Sequence, residues 1–231
     1  MDPVSFRFLA AYVLAAVLNL DRQSLAQIML ARPLVTGLFM GQVLELEIVG
    51  LSLGFLAELL WLSSPPLGGH VAPNGGLAVS ILLLTMALVE PLALFLPEKA
   101  LIALGFLFLP PLAKLLTGVE KISRKVASQK EVHLLAITAQ GQGQILFWAN
   151  FKGLLVTLAL GLAAVTILVP LLTALFALTI RFSPLPFWNL LSTIAPYLPL
   201  VGLTFYLGRV SKNLFFYYLM GLVFGSLVIL A

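Results

Sequence analysis

Cysteine is absent from this sequence and charge is scarce. Without cysteine there is no disulfide framework and no thiolate metal site. The two histidines, His70 and His133, are not spaced as ligands, and no carboxylate cluster accompanies them, so no metal site and no cofactor are expected. There is no Walker loop, no G-x-S-x-G elbow and no H-E-x-x-H motif, which removes ATP hydrolysis by this chain and the common hydrolase chemistries. Charged residues make up 10% of the chain, against about 25% in a soluble domain. The net charge of +4 is small and falls mostly in loops, which suits membrane topology rather than nucleic-acid binding.

What is present in quantity is apolar surface. The chain is 61% hydrophobic with a mean hydropathy of +1.11, against about 45–50% apolar residues in a soluble domain. The fold class expected is therefore all-α: a polytopic membrane helical bundle in one domain, with about six crossings of about 20 residues each and a re-entrant helical hairpin in the N-terminal third. Residues 1–20 read as a retained first helix, because the apolar run from Phe8 meets Asp21-Arg22 and not a small-residue cleavage site. Residues 21–75 read as an amphipathic helix over Asp21 to Ala31 followed by the hairpin. Residues 76–118 hold two crossings, interrupted at Glu90-Pro91 and Pro110-Pro111. Residues 119–133, the densest basic segment, read as a cytoplasmic loop, with a solvated extension of the preceding helix as the plainer reading on the same side. Residues 134–231 hold the C-terminal crossings: one from Gly153 to Ile180, one from Phe187 to Gly208 broken by Pro196 and Pro199, and a last helix from Leu214.

Glu58 is the residue that points to function. It lies in the apolar segment Ile48 to Leu62, which opens onto a stretch rich in Pro, Gly and Asn ending at Asn74. A carboxylate at membrane depth costs several kcal/mol and is kept only against a partner or a cavity, and irregular backbone at that depth lines such cavities. Gly37 and Gly41 are four apart, as are Gly50 and Gly54, a spacing that lets membrane helices approach closely. Helical steps from Gly50 and Gly54 reach Glu58 and Trp61 on one face. The glycines of Pro73-Asn-Gly-Gly76 form a turn at a helix entrance more readily than a phosphate nest.

The run Leu20-Asp-Arg-Gln-Ser-Leu-Ala-Gln-Ile-Met-Leu-Ala-Arg-Pro-Leu-Val-Thr-Gly37, with Gly50, Glu58, Trp61 and Gly68-Gly-His-Val-Ala-Pro-Asn74, resembles the mannose/fructose/sorbose family of phosphotransferase-system IIC subunits. The resemblance is strongest over residues 20–80 and continues more weakly to Phe215-Phe-Tyr-Tyr218. It implies a non-enzymatic sugar-translocating subunit of the bacterial inner membrane. It further implies a IID membrane partner, cytoplasmic IIB and IIA proteins that carry the phosphoryl group, a trimer of IIC–IID units and an elevator-like motion. Three positions depart from the family pattern: Leu44-Glu-Leu-Glu47 replaces a usual Gly-Asp, His70 replaces a small residue, and Asn74 stands where Asp is frequent.

The resulting expectation is that Glu58, Asn74, Gly69, His70 and Trp61 meet sugar hydroxyls, because carboxylates accept hydrogen bonds and amides both donate and accept them. Asp21, Arg22, Gln27, Arg32, Pro33, Gly37, Gly50, Gly54 and Pro73 are expected to shape the cavity. Plainer readings stand beside these. Glu58 is also a natural partner for Arg32, Trp61 a packing or anchoring residue, and Asp21 and Arg22 a pair at the base of the hairpin. Two other functional classes stand as alternatives: a non-transporting scaffold that docks phosphotransferase proteins, and an intramembrane enzyme, which lacks the set of titratable groups it needs.

Overall fold

A computed structural model describes residues 3–22, 27–62, 71–138, 143–210 and 216. The described chain is helical with no strands. Its helices are α1 (Pro3–Asp21), α2 (Pro33–Leu44), α3 (Glu47–Trp61), α4 (Gly75–Val89), α5 (Glu98–Thr138), α6 (Gly143–Phe182), α7 (Leu185–Ile194) and α8 (Leu198–Val210). Within the described residues Gly75–Leu92, Glu98–Lys125 and Phe151–Phe182 are long and apolar enough to cross a membrane by themselves.

The centre of the bundle is α4. Every residue from Gly75 to Val89 except Leu88 is buried, and α1, α2, α3, α5 and α6 all pack against it. A helix apolar on all sides is stable only when enclosed, and this one has no charged residue until Glu90, where a single 3-10 turn over Glu90–Leu92 ends it at Pro91.

The expected hairpin is there, and glycine makes it. A Cβ on Gly37 would run into the Gly50 carbonyl, and one on Gly50 into the Gly37 carbonyl; one on Gly54 would lie 2.6 Å from the Pro33 carbonyl oxygen. The two glycine rows therefore interlock backbone to backbone. The hairpin turns at Glu45, which caps α2 at φ 59°, and Arg7 of α1 forms an ion pair with Glu45. Since α2 begins beside the end of α1 and its tip meets the second turn of α1, the hairpin runs antiparallel along that helix.

Three expectations change. Over its described residues the amphipathic helix expected at 21–31 is not formed: Asp21 ends α1, and residues 27–32 are irregular, with Gln27 and Met29 at φ 52° and 71°. Residues 119–133 are not a loop but a continuation of α5; their Lys, Arg, Glu, Gln and Ala content favours helix, and Lys121, Arg124 and Lys125 are exposed along it. The segment from Phe187 to Gly208 is not one span but α7, a 3-10 turn over Ala195–Tyr197, and α8, because Pro196 and Pro199 each remove a helical hydrogen bond. The last helix expected from Leu214 lies outside the described residues apart from Phe216. Both α5 and α6 reach about 60 Å by helical rise, twice the hydrocarbon thickness of about 30 Å. They are tied near their middles by a hydrogen bond of 3.2 Å between the hydroxyls of Ser123 and Thr157.

Candidate functional site

One end of the bundle gathers most of the polar side chains, and Asp21 organises it. Its carboxylate is buried and accepts three backbone N–H groups from the irregular segment: Ile28 at 2.9 Å, Leu30 at 2.7 Å and Ala31 at 3.3 Å. An acid that offers backbone donors an alternative partner competes with helix formation, which is why residues 27–32 loop around it. Asp21 and Arg22 do not pair with each other. Arg22 instead donates to Glu120 at 2.8 Å and to the Ala72 carbonyl, fixing the segment 71–74 onto α1 and α5.

Asn74 is the second organiser. Its side-chain oxygen accepts from the Leu77 N–H at 3.2 Å and caps α4, while its amide nitrogen donates to Asn19 Oδ1 at 2.9 Å. Its own N–H donates to the Thr117 hydroxyl at 3.3 Å. The departure from Asp at this position thus has a structural account: an ionised carboxylate has no hydrogen to give Asn19. Pro73, half-buried, accepts from the Gly75 N–H at 2.9 Å.

Glu58 sits where the hairpin returns to this end. Its Oε1 lies 3.2 Å from Arg32 Nη1, and Arg32 itself is the residue that precedes α2, with Pro33 at the first helical position. The second oxygen, Oε2, is buried and has no hydrogen-bond donor among the described residues. Beside it, Trp61 lies against the entrance of α4: a Cβ on Gly75 would come within 2.6 Å of Trp61 Cζ3 and 2.8 Å of Pro33 Cγ. Glycine at 75 therefore seats both rings. Gly50, Gly54, Glu58 and Trp61 follow one face of α3 as expected, the glycines against α2, the acid on Arg32 and the indole on Pro33.

The expected set is brought together in part. Arg32, Pro33, Glu58, Trp61 and the α4 entrance converge, and Asp21 and Arg22 brace that entrance. Gln27 is exposed on its left-handed turn. The Asn74 side chain turns toward α1 and is not hydrogen-bonded to Glu58. Gly69 and His70 lie outside the described residues.

Sequence reasoning missed Asn19, Thr117 and Glu120. Glu120 is 2% exposed and is held by Arg22 on Oε2 and by Arg124 on Oε1 at 2.7 Å. The signal available was an acid with an arginine four residues later in a helix, but it was hidden inside a segment read as loop. A cavity of about 10 Å³, room for about one water molecule, lies beside this layer, lined by Asn19, Asn74, Glu120, Ser123, Thr157 and Gly161. It is smaller than the roughly 300–1,000 Å³ of ligand pockets, and its side chains hydrogen-bond one another.

Comparison with known proteins fits this layout. A family model described as the PTS system sorbose-specific IIC component matches residues 6–230. No curated protein sequence matches. A solved structure described as "Structure of membrane protein" shares the fold, with a TM-score of 0.65 at 19% identity over 96% of this chain and 86% of that one.

Proposed function

The chain belongs to the sorbose-specific IIC family of the phosphotransferase system, a multi-pass sugar-transport component, and from that premise we propose that it passes a hexose or amino sugar across the bacterial inner membrane with Glu58 as the sugar-binding acid. The observation that carries this reading is the unequal pair of oxygens on Glu58: one is held by Arg32, the other is buried without a donor. Leaving a buried acceptor unpaired costs about 1–3 kcal/mol, more for a charged group. A sugar hydroxyl is the donor that removes this cost, and Trp61 offers an apolar face one turn away for the ring. Arg32 holds the carboxylate in place and leaves Oε2 for the hydroxyl.

In this reading a IID subunit completes the path, and the cytoplasmic IIB protein, charged by IIA, phosphorylates the sugar as it emerges. The IIC chain contributes binding and passage and carries no phosphoryl group. The units form trimers, and the α2–α3 hairpin moves with the site relative to the rest of the bundle.

The test is sugar uptake by vesicles that contain this chain with its IID partner and the IIB and IIA proteins. Glu58→Gln is expected to lower uptake by on the order of a hundredfold, with normal membrane levels and unchanged association with IID. Full uptake by that variant would remove Glu58 from the site. Sugar binding without any flux in the unmodified protein would make the chain a docking scaffold instead.

A further inference from the structure

We propose that one flank of α5, centred on Lys114, is the surface on which a different membrane-embedded chain packs, and that this partner presents a carboxylate to Lys114. The proposal rests on the second membrane subunit invoked above but not on the sugar site at Glu58.

Leu107, Pro111, Lys114, Gly118 and Lys121 follow each other at steps of three and four along α5, so they form one stripe, and all but Gly118 carry side chains that the other described residues leave exposed. The opposite flank, with Leu109, Leu112, Ala113 and Leu116, is buried in the bundle. A stripe that faced only lipid would be apolar, and this one is not.

Lys114 lies fifteen residues beyond Lys99 and seven before Lys121, which is about 22 Å from one and about 10 Å from the other along the helix. The Ser123–Thr157 hydrogen bond sets the register of α5 against α6. That register puts Lys114 roughly level with the middle of the uncharged run between Lys152 and Arg181. No carboxylate of the described residues forms an ion pair with it. Ionisable side chains at such depth face a protein partner or a water-filled cavity.

The backbone beside it makes the same demand independently. Pro110 and Pro111 have no N–H, so the carbonyls of Phe106 and Leu107 lose their usual helical donors. Freed carbonyls at membrane depth persist where a neighbouring helix or its hydroxyl and amide side chains satisfy them. Gly118 adds a third mark. A Cβ there would meet nothing within 4 Å, so no described residue requires glycine at 118, whereas close approach by another membrane helix favours it.

No described side chain of a second copy offers an unpaired acid at that depth. Among the described side chains Asp21 is held by three amides, Glu45, Glu58 and Glu120 are ion-paired, and Glu47, Glu90 and Glu98 stand at helix ends. A lipid phosphate is disfavoured too, since Lys121 on the same stripe already lies about 10 Å nearer that end of the helix. The fitting partner is a helix with one carboxylate and several hydroxyl or amide donors.

The experiment co-expresses the full chain with the IID subunit of its system and places a photo-crosslinking residue at Leu107 or Gly118, with Ile167 and Leu171 on the exposed flank of α6 as comparison sites. Adducts to the IID chain from 107 and 118, none from 167 or 171, and a co-purification yield lowered on the order of tenfold by Lys114→Glu are expected. Exchange of a partner acid for lysine is expected to restore the yield of that variant. Adducts to lipid or to a second copy, or unchanged yield with Lys114→Glu, would overturn the surface while leaving the partnership standing. Failure of the unmodified chain to co-purify with IID would overturn both. Sugar binding by the complex, read separately, reports on Glu58 alone.

Discussion

Glu58 and Glu120 are both acids held by arginine, yet only one of them has an oxygen left over. On Glu120 each oxygen has its own guanidinium, the pattern of a structural pair. Glu120→Ala is expected to cost about 3–5 kcal/mol, because it leaves Arg22 buried without its charge partner; thermal unfolding of the purified protein measures it. Glu58→Gln is expected to cost under about 1 kcal/mol in the same assay, since Arg32 is 53% exposed and such pairs contribute little. Asn74 belongs with Glu120. Asn74→Ala removes the α4 cap and orphans Asn19, and a loss of about 1–3 kcal/mol is expected. Thr85 is fully buried with an unpartnered hydroxyl, so Thr85→Val is expected to leave the midpoint of unfolding unchanged or raised, as replacing an unsatisfied polar group does.

At the scale of elements, the hairpin of α2 and α3 is the part most sensitive to one methyl group. Gly37→Ala or Gly50→Ala drives a Cβ into the carbonyl of the facing helix, and neither backbone can yield without parting the pair. Each is expected to abolish accumulation of folded protein in the membrane, measured by fluorescence-detected size exclusion. Gly153→Ala, where a Cβ meets nothing within 4 Å, is the matched control and is expected to be neutral or mildly stabilising. This hairpin was legible in the sequence because small-residue spacing has one physical reading inside a membrane. Glu58 and Trp61 were legible for a related reason, since an acid and an indole one helical turn apart in an apolar run are few enough to single out. Other elements were not. Residues 27–32 carry a helical pattern, but the carboxylate of Asp21, seven to ten residues earlier, captures the amides of Ile28, Leu30 and Ala31. Residues 119–133 have the charge of a loop and the propensity of a helix, and length along α5 decided between them. Asn19 and Glu120 stayed hidden because their partners come from α4, α1 and α5 together, which no local pattern records.

Apart from Lys114 and the charges on the projecting ends of α5 and α6, the charged side chains of the described bundle gather mainly in two layers joined by apolar helix. Arg7, Glu45, Glu47, Glu90 and Glu98 mark one end; Asp21, Arg22, Arg32, Glu58 and Glu120 mark the other. The α4 helix connects them through an uncharged interior whose polar side chains are Ser80 and Thr85, and its entrance, at Asn74 to Gly76, is braced by Arg22, Trp61 and Pro33. Beyond that layer α5 and α6 continue as an antiparallel pair for about 20 Å, so the end that holds the candidate site also carries the projecting helices. In the proposed reading the sugar-binding acid lies at the polar end of the bundle, beside the segments that the α2–α3 hairpin shares with its neighbours. The central claim is that Glu58 Oε2 receives a sugar hydroxyl. Titration of the purified complex with hexoses and amino sugars by isothermal calorimetry, comparing the unmodified chain with Glu58→Gln, tests it most directly. The account predicts a measurable binding heat for at least one sugar that disappears in the variant while the unfolding midpoint stays in place. Equal affinity in the two proteins would contradict it.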